Sequence, residues 1–124
     1  GLSAAVGTAE LKFTLRTLLR QYRDPAVALR LLNRLLWESY RGERKQNPPL
    51  VPLSIVVANF KTRYLSVAVA GAEPPMILRR DRDGNTSTEE IKCGGLMIGT
   101  LPEEEYERQI IAMGASDCLL MTTD

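Results

Sequence analysis

The residues of this 124-residue chain that could do chemistry are carboxylates, glycines and two cysteines, because the sequence contains no histidine. The lack of histidine excludes Ser-His-Asp and Cys-His catalysis, a histidine general base and histidine-ligated zinc. Cys93 and Cys118 are too few for a four-thiolate metal site. Such a pair is typical of a reducing cytoplasm rather than of a disulfide-rich secreted protein.

Three short motifs resemble functional sites when each is taken alone. Residues 94–99 are rich in glycine like a phosphate-binding loop, but no predicted helix follows them, so we interpret them as a turn with close backbone approach. Residues 103–107 include four glutamates, which is typical of a solvated face. Residues 81–85 match part of a calcium loop but lack its downstream glutamate and flanking helices, so we interpret them as a hairpin turn.

The composition is that of one globular domain, with 44% hydrophobic and 25% charged residues and a net charge of +1. Residues 1–50 contain nine Lys and Arg but four Asp and Glu, and this basic half could suggest a nucleic-acid partner. The arginines are spaced as on solvated helix faces, and no aromatic stacking platform accompanies them. We therefore expect no nucleic-acid partner.

Nothing in the sequence predicts a membrane partner. The longest apolar stretches are interrupted by Pro52, Ser54 and Asn59, so they are much shorter than a membrane span. The first residues lack the basic start of a signal peptide. Together with the cysteine usage, this predicts a cytoplasmic protein.

Helix signals fill the first part of the chain. Leucines recur at helical spacing with charged residues between them, which predicts a helix over about residues 3–22. Asp24 and Pro25 form an N-cap followed by proline at the first helical position, so a second helix is predicted over 25–41. Leu32 lies on the apolar stripe of the second helix. Two helices joined this closely should lie antiparallel against a common partner.

Strand signals fill the rest. Two runs rich in β-branched residues, around 53–57 and 64–68, are separated by a short hairpin connection at 60–63. Further strands are predicted at 76–80, 90–93, 106–112 and 118–122. Helices segregated from hairpin-linked strands predict an α+β fold, with two antiparallel helices packed on an antiparallel β-sheet. We expect one domain over 1–124, with a helical pair at 1–45 and antiparallel strands at 51–124.

Five segments carry a resemblance to a known family. They are GLSAA at 1–5, LNRLL at 32–36, AGAEPPMIL at 70–78, GGLMIG at 94–99 and GASDCLLMTTD at 114–124. In this order the chain resembles the RsbU/SpoIIE-type bacterial serine/threonine phosphatases of the metal-dependent protein phosphatase 2C superfamily. The resemblance covers nearly the whole chain and implies the central part of a catalytic domain with an α-β-β-α sandwich fold.

Two positions depart from the family motifs. Ala72 stands where the family usually has histidine, and Met97 stands where it usually has proline. Neither position is a metal ligand in the family. We interpret both departures as changes of loop packing.

The resemblance also implies a metal site. In the family, aspartates hold two Mn²⁺ or Mg²⁺ ions, and a water between the ions becomes the nucleophile that attacks phosphorus. Most of these aspartates precede Gly1 or follow Asp124 in the family pattern. Asp124, which matches the aspartate of the T-D-G motif, is therefore the one metal ligand that the resemblance assigns within this chain. Asp117 matches an aspartate that we expect to make a turn hydrogen bond.

The implied function is a protein phosphatase that acts on a phosphoserine or phosphothreonine protein. The typical substrate in the family is a phosphorylated anti-sigma-factor antagonist of a bacterial partner-switching pathway. The alternative is a non-catalytic phosphatase-like module that binds partners or relays a signal through its helices. Ala72 favours this alternative, whereas the retained Thr123 and Asp124 disfavour it. A homodimer is left open.

Overall fold

The computed structural model describes residues 4–44 and 46–122, so the residues at 1–3 and the predicted metal ligand Asp124 lie outside the described residues. Helix α1 is Ala4–Gln21 and helix α2 is Pro25–Ser39, followed by a π-helical segment, Tyr40–Arg44. The predicted start of α2 is confirmed, because the Asp24 side chain accepts a hydrogen bond of 2.9 Å from the backbone N–H of Ala26.

The two helices pack against each other through their leucines. Leu18 of α1 and Leu32 of α2 are buried in one cluster, against which Leu15 is half-buried. The predicted apolar stripes therefore face the core. No helix among the described residues is long and apolar enough to cross a bilayer.

Six strands form two antiparallel sheets of three strands each. The strands are β1 (Leu53–Asn59), β2 (Tyr64–Ala70), β3 (Met76–Arg80), β4 (Thr86–Glu90), β5 (Gln109–Ala112) and β6 (Cys118–Leu120). The first sheet has the order β1-β2-β5 and the second has the order β4-β3-β6. The predicted hairpin connections at 60–63 and 81–85 are both present.

Strand β2 lies at the centre of the first sheet and separates two apolar layers. Ala68 and Ala70 belong to the cluster that contains Leu29 of α2. Val67 and Val69, which alternate with them along the strand, pack in a second cluster with Ile77 of β3. The order of layers is therefore helices, first sheet, second sheet.

The predicted α+β fold class is confirmed. The prediction placed all strands in one sheet, whereas the structure divides them between two sheets. The division arises because β5 returns to pair with β2, whereas β6 pairs with β3. Both halves of the β-sandwich thus come from residues 53–120.

The predicted strand at 90–93 is wrong, because the strand on β3 is Thr86–Glu90. All five residues of β4 are exposed and polar, so the strand has no apolar alternation to mark it. Ile91 and Cys93 created the apolar signal, but they enter the core from a segment without strand pairing.

The strands predicted at 106–112 and 118–122 are shorter than expected. Tyr106 is buried but lies outside a strand, and pairing with β2 begins only at Gln109. At the end of the chain, pairing with β3 stops at Leu120.

Truncation of Leu32 tests this core assignment. Leu32 is 2% exposed, so we expect Leu32→Ala to lower the free energy of unfolding by about 2–5 kcal/mol. The matched control is Leu35→Ala on the same helix, where the side chain is 45% exposed and the loss should stay below about 1 kcal/mol. Urea unfolding measures both, and equal losses would show that the core face is misplaced.

Candidate functional site

Three of the segments that resemble family motifs, at 70–78, 94–99 and 114–124, reach one end of the two sheets. Met76, the first residue of β3, pairs with Glu90 at the end of β4 and with Leu120 at the end of β6. The loops that follow β2 and β4 and the chain that follows β6 therefore share this end, which we call the loop end. The chain continues from Leu120 through Thr122 toward Asp124, which lies outside the described residues.

Backbone hydrogen bonds join the two loops at the loop end. The N–H of Gly71 donates to the carbonyl of Gly95 at 2.8 Å, and the N–H of Ile91 donates to the carbonyl of Pro75 at 3.0 Å. The loop at 71–75 and the segment at 91–95 therefore form one unit. Two motifs that lie about 20 residues apart in sequence are adjacent in space.

Close packing explains two glycines in these loops. Gly71 has a φ of +63° and lies so close to Met97 that a Cβ would collide with the methionine. A Cβ at Gly95 would collide with the Tyr106 ring and with the carbonyl oxygen of Val69. The predicted close backbone approach in the glycine-rich segment is confirmed, and Met97 packs directly over the neighbouring loop.

Asn33 fixes the glycine-rich segment to helix α2. Its side chain is 1% exposed, and its Oδ1 accepts a hydrogen bond of 2.8 Å from the N–H of Gly99. Its Nδ2 donates to the carbonyl of Leu101 at 2.8 Å. One buried amide thus satisfies a donor and an acceptor of the same loop, which holds that loop against the helix.

Tyr106 makes a second attachment of this segment. The phenol donates a hydrogen bond of 2.8 Å to the carbonyl of Leu96. Burial, with a smaller effect of the nearby Glu104 carboxylate, raises the pKa of Tyr106 to about 12. The phenol therefore remains a protonated donor throughout the neutral pH range.

Asp117 lies at the opposite end of β6 from the loop end. Its Oδ2 accepts hydrogen bonds from the N–H of Gly114 at 2.8 Å and from Arg79 at 2.9 Å. The Gly114 N–H first, and then the positive charge of Arg79, hold the pKa of Asp117 below its usual value. The expected turn hydrogen bond is confirmed.

The other acidic motifs also have ordinary structural roles. Oδ1 of Asp81 accepts hydrogen bonds of 2.9 Å from the N–H groups of Asp83 and Asn85, so this motif closes the β3–β4 hairpin. In the segment 103–107, Glu103, Glu105 and Glu107 are exposed. Among the described residues, neither motif brings three potential metal-binding side chains together.

The described residues do not by themselves make a metal site. Nowhere in 4–44 or 46–122 do three His, Cys, Asp or Glu side chains converge as metal ligands would. Cys93 is buried and Cys118 is exposed, and both thiols are free. Any metal bound through Asp124 therefore needs further ligands from outside the described residues.

Sequence reasoning missed the roles of Asn33, Tyr106 and Arg79. The sequence held one indication of the role of Asn33, since this polar residue lies directly beside the apolar stripe of α2. The partners of Asn33 lie 66 and 68 residues away in sequence, which no local pattern reveals.

Removal of the Asn33 amide should destabilise the fold more than its size suggests. Asn33→Leu leaves a buried N–H and a buried carbonyl unpaired, so we expect a loss of about 2–4 kcal/mol in the free energy of unfolding. Arg34→Ala, an exposed neighbour on the same helix, should change stability by less than about 0.5 kcal/mol. Chemical unfolding measures both variants, and an Asn33→Leu protein as stable as the wild type would contradict the assigned role.

Comparisons with known proteins agree with the fold. The chain is similar to the crystal structure of the RsbU and RsbW domains of Rv1364c from Mycobacterium tuberculosis, with a TM-score of 0.67 and 16% sequence identity. The match covers 96% of this chain and 30% of that chain, and at this identity it shows the fold alone. No curated protein sequence matches the chain significantly.

The family assignment comes from the sequence as a whole. The family model described as Stage II sporulation protein E (SpoIIE) matches residues 1–124. This match includes all five motif segments, among them the loops that meet at the loop end. The chain therefore belongs to the SpoIIE family.

Proposed function

We propose that the chain is the central part of a metal-dependent protein serine/threonine phosphatase domain. The observation that carries the proposal is the SpoIIE family match over residues 1–124. The gathering of the motif loops at the end of β6 that leads to Asp124 supports it. Binding and catalytic residues are commonly carried by loops on a rigid scaffold.

In this proposal Asp124 is one ligand of a site for Mn²⁺ or Mg²⁺, and the remaining ligands come from outside the described residues. The pair of ions implied by the family would supply Lewis-acid activation of the phosphoryl group and of water. The contribution of the described residues is to hold the motif loops in position. Asn33 and Tyr106 hold the glycine-rich segment, and the Gly71–Gly95 hydrogen bond joins it to the neighbouring loop.

The proposed substrate is a phosphoserine or phosphothreonine protein. The similar structure combines an RsbU domain with an RsbW domain in one protein, which supports a role among regulatory protein partners. We propose a phosphorylated anti-sigma-factor antagonist of a bacterial partner-switching pathway as the substrate, and the cytoplasm as the location.

A second candidate is a non-catalytic interaction module of the same fold. The observation that favours it is Ala72, which is half-buried against the core and presents no polar group where the family motif has histidine. A module of this kind would bind a phosphoprotein or a regulator without turnover.

Neutralisation of Asp124 separates the two candidates. In the intact protein that contains this chain, we expect Asp124→Asn to abolish Mn²⁺-dependent hydrolysis of a phosphoserine peptide while the circular dichroism spectrum stays unchanged, because the amide lacks the charge that the metal requires. Asp83→Asn is the matched control, since Asp83 lies in an exposed hairpin turn and should leave turnover unchanged. An active Asp124→Asn protein would refute the site, and an inactive wild type would favour the interaction module.

The 124-residue chain alone should neither hydrolyse the peptide nor bind Mn²⁺ tightly. A lone carboxylate cannot hold a divalent ion that needs several oxygen ligands, and the sequence has no histidine to serve as a substitute base. The same peptide assay and a calorimetric Mn²⁺ titration check this, and metal-dependent turnover by the chain alone would contradict it.

A further inference from the structure

The outer surface of the two helices carries two rows of positive charge. On α1, Lys12, Arg16 and Arg20 recur every fourth residue, so they form one row, and all three are exposed. On α2, Arg30 and Arg34 have the same spacing, and Arg34 is exposed. None of these five cations forms a salt bridge with another described side chain. Their charge is therefore available to a partner.

The two rows lie on opposite flanks of the helical pair. The helices face each other through Leu18 and Leu32, which are buried in one cluster. Arg16 and Arg34 each stand two residues from one of these leucines, which is about 160° around the helix axis. Each row therefore points away from the other helix, and the outward strip of both helices lies between the rows.

Apolar side chains are exposed along this outer surface. Phe13 of α1 is 74% exposed, and Leu35 of α2 is 45% exposed. Phe13 directly follows Lys12 and Leu35 directly follows Arg34, so each apolar side chain borders a row of cations. Leu35 also lines a cavity of about 570 Å³ between the helices and the segment at 49–52. The surface therefore combines positive charge with apolar groups that the fold does not bury.

This combination is typical of a surface that lies on an anionic membrane. Cations are attracted to acidic headgroups, while apolar side chains enter the boundary between headgroups and acyl chains. A nucleic acid would place its phosphates against Phe13 and Leu35, which gain nothing from them. The cations follow the helix repeat and are not oriented by partners, which suits the diffuse charge of a bilayer better than one site on an acidic protein. The exposed acidic residues on the two helices, Glu10 and Glu38, are fewer than the cations.

We propose that the outer surface of α1 and α2 binds peripherally to an anionic lipid bilayer. Both helices lie along the bilayer surface, and Phe13 and Leu35 enter the headgroup boundary. Attachment of this kind needs no membrane-spanning helix, and none is found among the described residues. The loop end lies at the end of the sheets and not on this surface. The proposal does not depend on the phosphatase assignment.

The test measures vesicle binding by the intact protein that contains this chain. The probe is vesicles of equal parts phosphatidylcholine and phosphatidylglycerol, compared with phosphatidylcholine alone, by co-sedimentation. The triple variant Lys12→Gln, Arg16→Gln and Arg20→Gln should bind the anionic vesicles about 100-fold more weakly, because each cation near the surface contributes about fivefold. About 1 M NaCl should release the wild type, since salt at this concentration screens the attraction.

A second variant tests the apolar contribution. Phe13→Ser keeps every cation, and we expect it to lower affinity for the anionic vesicles by about 10-fold, because the apolar ring no longer leaves water. All four substituted side chains are exposed, so the circular dichroism spectrum and the urea midpoint should stay those of the wild type.

The matched control removes three exposed cations from the hairpin turns. Lys61→Gln, Arg63→Gln and Arg82→Gln together change the net charge by the same amount as the α1 triple variant. These residues lie outside the helical surface, so affinity should fall by less than about twofold. Equal losses in the two triple variants would mean attraction by net charge alone and would overturn the proposal.

Other outcomes would also overturn it. A wild type that does not sediment with anionic vesicles lacks the activity, and one that binds phosphatidylcholine alone equally well does not use the cations. Binding to duplex DNA or to polyglutamate as tight as to vesicles, and unchanged by Phe13→Ser, would assign the surface to a polyanion instead. Each of these results leaves the phosphatase assignment standing, because that assignment is tested by metal-dependent turnover.

Discussion

The buried amide of Asn33 is the interaction on which the arrangement of the loops depends. From the middle of α2, the Asn33 side chain accepts a hydrogen bond from the Gly99 N–H and donates one to the Leu101 carbonyl. The side chain is buried, so water does not take the place of these partners. The same loop pairs with the segment just before β1, since Ile98 and Val51 form an isolated antiparallel bridge. The helix layer, the segment that leads into β1 and the glycine-rich segment are therefore held together, and a shift of the glycine-rich segment away from α2 would leave the buried Asn33 amide unpaired.

The two ends of the β-sandwich are fixed by different forces. Packed glycines and backbone hydrogen bonds hold the loop end, where side chains at Gly71 or Gly95 would collide with their neighbours. At the opposite end the charged network of Arg79 ties β3, β4 and the β5–β6 turn. Strand β6 joins these two ends.

Local sequence signals predicted the parts of the fold that are determined locally. The N-cap at Asp24, the leucine stripes of both helices and the β1–β2 hairpin follow from neighbouring residues, and the structure confirms them. Strand β4 could not be found in this way because it is polar on both faces and depends on pairing with β3. The division into two sheets and the partners of Asn33 depend on contacts between distant segments, which one sequence does not specify. The loops of the site were found through their family motifs, whereas the contacts that hold them were not.

Direct localisation of a bound metal tests the proposal that the loop end and strand β6 lead to a metal site that includes Asp124. The measurement is anomalous X-ray scattering from crystals of the intact protein grown with Mn²⁺. We expect a manganese peak beyond the end of β6 with a carboxylate oxygen of Asp124 as a direct ligand, because small hard divalent cations bind carboxylate oxygens. A fully occupied manganese site elsewhere, with the Asp124 carboxylate bound to protein groups alone, would contradict it.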